Sequence, residues 1–410
     1  MEHHNETMFS NISVAPPDKI LKLNGFFKAD PNPDKINLGV GAYRDANGKN
    51  YLLPSVRRAE QMIYDQQFPK EYLPIDGYAP FNEAAARLIF GKELHNEIKE
   101  RTVTVQELSG TGSLRVAFEF IHTFFPDAEV YIPSPTWANH AAIVKKTTLR
   151  AARTYRYLGN RAVDTEGMLE DLRAAPAGSI ILLHPCAHNP TGYDIPDDQW
   201  GRVFDVLEQG KLIPYFDSAY QGYASGDLDR DAHVIRDAVK RGFEVFVSQS
   251  FAKNMGLYAE RAGALHIVCG VPQVAEAVRT QIKSTIRAMH SSSPCHGAYL
   301  AATVLNTPEL RAQWEVELKA MAARIQEMRQ ALVDALEKHG VVLPGGNDHI
   351  TRQVGMFSFT GLTPDQVLYL RDNCSIYMLE NGRISMAGLN PSNVDRFAGF
   401  VAEAIKAKPF

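Results

Sequence analysis

A lysine at the mouth of an apolar run is the sharpest chemical signal in the chain. Lys253 lies in SFAKNMGLYAER, directly after the strand-like EVFVSQ, and shares that loop region with Ser250 and Arg261. An amine withdrawn from water at such a position loses part of its proton affinity and becomes a nucleophile toward carbonyls. Asp217 follows the apolar run of LIPYFDSAYQGY and so falls at the carboxyl end of a predicted parallel strand, where open α/β sheets bind ligands. Tyr220, three residues on, can bring its phenol into the same crevice; the plainer reading has Asp217 capping a turn and Tyr220 packing. In SGTGSLR, residues 109 to 115, two glycines and small hydroxyl residues stand just ahead of a helix predicted over 112 to 125. Ser109, Gly110 and Thr111 there offer backbone N–H groups and a helix N-terminus to a phosphate, or form a structural turn before a capped helix. The segment is neither a Walker A loop nor GxGxxG.

Two further segments end at the same predicted sheet edge. HPCAHNPTG holds His184, His188 and Cys186, but it has neither HExxH nor paired CxxC spacing, and Pro185 breaks any helix that would align the histidines. We therefore expect no metal. Asn189, held extended by the proline after it, can aim its amide into the crevice. Trp137 and His140 lie in PSPTWANH just past the strand-like EVYIP. Ser250 and Lys253 also spell SxxK, a serine-nucleophile signature, yet the SDN and KTG segments that accompany it in penicillin-recognising enzymes are absent.

These residues need a large sheet to position them. The chain has 410 residues, more than one core accommodates, and its 45% hydrophobic and 22% charged composition is that of a folded globular protein. From about residue 102, apolar runs alternate with helical patterns: helix 112–125, strand 128–133, strand 179–184, helix 197–209, strand 211–217, helix 231–241 and strand 243–248. That alternation predicts an α/β architecture, a mainly parallel sheet flanked by helices. One long helix is expected over 308–339, stopped by Gly340. It leads into a smaller α+β unit. The expected division is an N-terminal arm and part of the small domain over 1–50, a large domain over 51–318, and a small C-terminal domain over 319–410.

The net charge of -4, without a long basic run, argues against nucleic acid and anionic membrane surfaces as partners. No apolar stretch nears the ~20 residues of a membrane span. The start, MEHHNETMFSNISVAPPDKI, lacks a secretory apolar region and the Arg-rich character of a presequence, so a cytoplasmic location is expected, with the mitochondrial matrix as the alternative. Cys186, Cys269, Cys295 and Cys374 form no CxxC pair and read as reduced thiols.

SGTGSLR, PSPTWANH, HNPTG, FDSAYQG, SFAKNMGLYAER and NGRIS, in this order, resemble the aspartate aminotransferase family, and the likeness runs from INLGVGAYRD to the end. The resemblance implies the type I fold of pyridoxal-phosphate-dependent transferases, and Lys253 as the residue that holds the cofactor as a Schiff base and shuttles the substrate proton. It implies that Asp217 pairs with the pyridine nitrogen, that Asn189 and Tyr220 bond the ring oxygen, that Trp137 stacks on the ring, and that His140 and His184 support Asp217. Ser109, Gly110, Thr111, Ser250 and Arg261 would hold the phosphate, joined by Tyr72 from a second subunit, so a homodimer with shared sites is implied. Arg383, with the backbone at Gly41, would clamp the substrate α-carboxylate, and Arg287 of the neighbour would bind the distal one.

The implied reaction moves an amino group from L-aspartate to 2-oxoglutarate, by a ping-pong cycle through pyridoxamine phosphate. Three departures border the cofactor and substrate positions: Ala252 where relatives often carry a hydroxyl, and Ser292 and Glu71 where asparagine is common. They leave an aromatic or broad-specificity aminotransferase as the alternative. A binding protein that keeps the fold without turnover is the alternative of another class.

Overall fold

Residues 7–148 and 150–410 are described by a computed structural model. Seven strands form the central sheet: β1 (Thr102–Leu108), β2 (Val130–Ser134), β3 (Arg153–Arg156), β4 (Ile180–Leu183), β5 (Ile213–Ser218), β6 (Val245–Ser250) and β7 (Ala262–Val268). They lie in the order β1-β7-β6-β5-β4-β2-β3. β7 pairs antiparallel with both of its neighbours, and every other pairing in the sheet is parallel.

Both faces of the sheet are covered, and the strands read accordingly. Within β4, Ile181 and Leu183 join one apolar cluster with Trp200, Leu207, Ile235 and Val239. Ile180 and Leu182 join another with Leu114, Phe118, Ile282 and Ile286 on the opposite side. All four β4 side chains are fully buried, each contributing about 1.5–3 kcal/mol of transfer free energy. A strand buried on both faces shows a continuous apolar run instead of alternation.

Several boundaries differ from the sequence expectation. The helix expected at 112–125 spans Ser109–Phe124, so SGTGS forms its first turns and does not precede it. The helix expected at 231 begins at Leu228, because Asp227 accepts hydrogen bonds from the backbone of Asp229 and Arg230 and caps it there. Residues 197–199 form a separate 3-10 turn ahead of the helix Trp200–Gln209. β1, β3 and β7 were not anticipated.

The long helix runs over Pro308–Lys338, and Gly340 beyond it adopts φ +66°. Near the N-terminus, Ile36–Asn37 pairs parallel with Ile376–Tyr377, so the two ends of the chain meet. Phe357–Phe359 pairs antiparallel with Arg383–Ser385. Among the described residues, no helix is long and apolar enough to cross a membrane.

Candidate active site

The carboxyl ends of the parallel strands set the site. β1 delivers Ser109, β5 ends in Asp217 and Ser218, and β6 ends at Ser250, three residues ahead of Lys253. Register brings the phosphate-cup candidates together: Leu108 lies opposite Ala262, and Ser250 opposite Gly263. The hydroxyls of Ser109 and Ser250 are 2.8 Å apart, and Ser250 Oγ accepts from the backbone N–H of Ala252. A Cβ on Gly263 would lie 2.6 Å from the Ser109 Cα, so only glycine lets β7 approach the cup. Ser109 itself has φ +60°.

A cavity of about 220 Å³ opens over these ends. Ser109, Gly110, Thr111, Ser250 and Arg261 line one end, and Lys253, Asp217 and Tyr220 line its middle. Trp137, His184 and Asn189 also line it, together with Gly41 and Arg383. Sequence reasoning missed Ile20, Leu114, Cys186, Ala187, Ala219 and Phe357, which also line it. Their only signal is apolar or small character, which does not separate a cavity wall from a core.

Lys253 is held from several sides. Its backbone carbonyl accepts from the Tyr223 hydroxyl at 3.0 Å, and the next carbonyl, of Asn254, accepts from the Trp314 indole at 2.7 Å. Part of the side chain faces the cavity, while the amine stands 5.5 Å from the centre of the Tyr220 ring. Burial lowers its pKa to about 8, with Arg261 and Arg383 adding to the fall and Asp217 opposing it. Roughly a tenth of the amine is therefore unprotonated at pH 7.

Folded-state depression fixes the sign of a stability effect. Well below pH 8 the amine is protonated in both states, and the fold bears the full cost of burying the charge. As pH rises from about 8 toward 10.5, only the unfolded chain still holds the proton, so the folded state gains. Lys253→Met should stabilise the unliganded protein at pH 7 by up to roughly 3 kcal/mol. Denaturant titrations should show that advantage fading above pH 8; a constant difference would refute it.

Asp217 is buried, and its Oδ2 accepts from His140 Nε2 at 2.8 Å. His140 Nδ1 in turn accepts from the Thr136 hydroxyl at 2.9 Å, the tautomer a carboxylate neighbour imposes. Burial alone would raise the Asp217 pKa, but the His140 hydrogen bond, the imidazoles of His140 and His184 and the Lys253 amine bring it below the ordinary carboxylate value. Asp217 thus remains an anion in a nearly closed site. His184 is pushed down to about 3 by burial and stays neutral. His140, His184 and Asp217 have donor atoms within 4.8 Å of one another, a spacing that a metal ion also favours. A metal would have to displace the proton joining His140 to Asp217.

Arg383 is buried and its pKa is lowered to about 10 by that burial. It donates to the Gly39 carbonyl at 2.7 Å and to Asn189 Oδ1 at 3.4 Å. Its Nε is buried with no hydrogen-bond partner among the described residues, in a residue that lines the cavity. Tyr220 is held protonated, burial raising its pKa. Tyr72 and Arg287 stand apart: Tyr72 is 88% exposed, Arg287 is exposed and donates to Ser291 Oγ, and neither lines this cavity.

The donor set fits one kind of molecule. Paired hydroxyls, a helix N-terminus and Arg261 suit a phosphate, a part-neutral amine suits a carbonyl, and a buried carboxylate suits a protonated ring nitrogen. A Cβ on Gly110 would project between Ser250 and Asp217, 3.7 and 3.9 Å from their nearest atoms, so glycine keeps that space clear.

Residues 33–401 match the family model described as aminotransferase class I and II. The chain is 48% identical over 404 residues to the cytoplasmic aspartate aminotransferase of Oryza sativa subsp. japonica, covering 98% of each chain. The solved cytoplasmic aspartate aminotransferase of Giardia lamblia superposes with a TM-score of 0.95 at 42% identity, over 98% of this chain and 100% of that one. An aromatic-amino-acid aminotransferase from Burkholderia pseudomallei, solved covalently bound to pyridoxal phosphate, gives 0.92 at 40% identity, over 97% and 99%. The chain belongs to the class I and II aminotransferases.

Proposed function

We propose that this protein is a pyridoxal-phosphate-dependent aspartate aminotransferase, converting L-aspartate and 2-oxoglutarate to oxaloacetate and L-glutamate. The observation that carries this reading is one cavity lined by a buried, partly neutral Lys253, an anionic Asp217 and the buried, incompletely satisfied guanidinium of Arg383. Near-full-length identity to a relative named for that activity sets the substrate class.

Bound pyridoxal phosphate supplies an electron sink for breaking the substrate Cα–H bond and a carbonyl carbon that carries the amino group between substrates. Ser109, Gly110, Thr111, Ser250 and Arg261 hold its phosphate. Asp217 keeps a proton on the ring nitrogen, and His140 fixes the carboxylate that does so. The hydroxyl of Tyr220 and the amide of Asn189 hydrogen-bond the ring oxygen, and Trp137 and His184 wall the ring. Arg383 binds the α-carboxylate and so orients the Cα–H bond toward Lys253. Lys253 Nζ would take that proton from the substrate Cα and hold it, which a pKa near 8 suits at neutral pH. The wall of buried side chains limits water, which would otherwise hydrolyse the bound substrate.

Tyr72 and Arg287 complete the site from a second subunit in this reading. Their exposure and their distance from the cavity on their own chain support donation across a homodimer interface. Residues 51–318 are assigned to a large cofactor-binding domain, and residues 319–410, with the arm up to 50, to a small one that carries Arg383. The compartment assigned is the cytoplasm, by analogy with the rice relative.

The second reading, an aromatic or broad-specificity enzyme, draws on Ser292 and Glu71 and on the Burkholderia structure. Comparing kcat/KM for aspartate and tyrosine decides between them, and faster tyrosine turnover sinks the aspartate-selective reading. Arg287→Leu is expected to lower kcat/KM for aspartate by roughly 10²-fold or more while changing tyrosine by less than about fivefold. Equal losses for the two substrates would show that Arg287 does not read the distal carboxylate.

A further inference from the structure

Arg383 has a partner that its hydrogen bonds do not reveal. The strands Phe357–Phe359 and Arg383–Ser385 pair antiparallel with Arg383 opposite Phe359 and Ser385 opposite Phe357. Phe357 and Arg383 are therefore diagonal neighbours on one face, within reach of an aromatic ring and a long side chain. The guanidinium carbon lies 4.1 Å from the Phe357 ring centre. The ring, 3% exposed, meets Tyr220 edge-on at 6.0 Å, and a Cβ on Gly41 would come within 2.9 Å of its Cζ.

What fixes Phe357 is a second buried arginine. Arg329, on the inner face of the helix Pro308–Lys338, is fully buried. It donates to the carbonyls of Ile350 at 3.0 Å, Gly355 at 2.8 Å and Phe357 at 2.7 Å. A buried cation held by carbonyls is expensive to place, and it ties three points of one segment to one rigid helix. The same segment touches the Asn189 loop, where the Val354 N–H donates to the Gly192 carbonyl at 2.7 Å.

We propose that Phe357 and Arg329 are positioning residues for substrate-carboxylate binding. Arg329 locks the segment 350–357, and the face of Phe357 holds the Arg383 guanidinium in the plane that meets the carboxylate. The inference rests on the reading of Arg383 as the carboxylate-binding group. A guanidinium restrained on one face by a ring and at one edge by Gly39 and Asn189 keeps its remaining edge preorganised, so less freedom is lost when a carboxylate binds.

The test uses the holoenzyme and succinate, a dicarboxylate without an amino group, as calorimetric probe beside steady-state kinetics. Replacing Phe357 by a ring-fluorinated phenylalanine keeps its shape while draining the charge from its face. Succinate should bind about three- to tenfold more weakly and KM for aspartate should rise in proportion, with kcat nearly unchanged. Phe357→Met should weaken succinate by about tenfold or more, and Gly41→Ala, which displaces the ring, should follow it. Arg329→Met strips three carbonyls of their donor and endangers folding, so the Phe357 variants decide. Unchanged succinate affinity in the fluorinated protein, or a fall in kcat with KM constant, overturns the proposal. A wild type that transaminates while the variants bind succinate normally defeats this inference alone. A wild type that binds succinate with the expected variant losses yet does not transaminate defeats the functional reading and supports this one. A wild type that does not bind succinate refutes the role given to Arg383, and this inference with it.

Discussion

Lys253→Ala is expected to lower kcat for transamination by at least about 10⁴-fold, the upper range of a positioned acid–base group, because the same amine anchors the cofactor and moves the substrate proton. The environment, more than the residue type, makes this loss large. Burial brings the amine to a pKa of about 8, and the hydrogen bonds of Tyr223 and Trp314 to the backbone at 253 and 254 fix where it stands. The variant should still take up pyridoxal phosphate, because Ser109, Ser250, Arg261 and Asp217 are untouched. Added methylamine should restore part of the proton transfer without restoring covalent attachment. A variant with near-native turnover would show that another group performs the chemistry.

Asp217→Asn should cost about 10²- to 10³-fold in kcat, comparable to removing one preorganised electrostatic partner from a closed site. The change conserves size but removes the negative charge that His140 orients across 2.8 Å. Without that charge the ring nitrogen is no longer held protonated, and the electrons released from the Cα–H bond lose their sink. The step affected is proton removal, so exchange of the substrate α-hydrogen with deuterated solvent reports it more directly than product formation. Unchanged exchange in Asp217→Asn would remove the role assigned here. His140→Ala should fall in the same direction by less, since it leaves the carboxylate in place and takes away its orientation.

Much of this site was legible because its residues follow apolar runs. Asp217 lies at the end of one strand buried on both faces and Lys253 just beyond another, and such strands announce their carboxyl ends in the sequence. Other parts carried no such mark. The strand Ala262–Val268 contains two alanines, a glycine and a buried histidine, so neither alternation nor β-propensity reveals it; Gly263 is there because the backbone of Ser109 passes so close. The helix at Ser109 starts earlier than expected since two glycines in its first turns weaken the helical signal without forbidding the helix. Phe357 lies in the smaller α+β unit expected after the long helix, but its contact with Arg383 depends on an antiparallel register with a segment more than twenty residues away. Arg329 falls within the long helix expected over 308–339, and its residue type does not mark it for burial. Its burial is a tertiary fact, produced by the segment 350–357 folding over it.

Borohydride reduction of the holoprotein, followed by proteolysis and mass mapping, tests the central claim most directly. Reduction converts a reversible carbon–nitrogen link into a stable secondary amine on whichever lysine carries the cofactor. One phosphopyridoxyl group per chain, confined to the peptide containing Lys253, is the predicted result. A label on another lysine, or a protein that binds the cofactor and takes up no label, would contradict it.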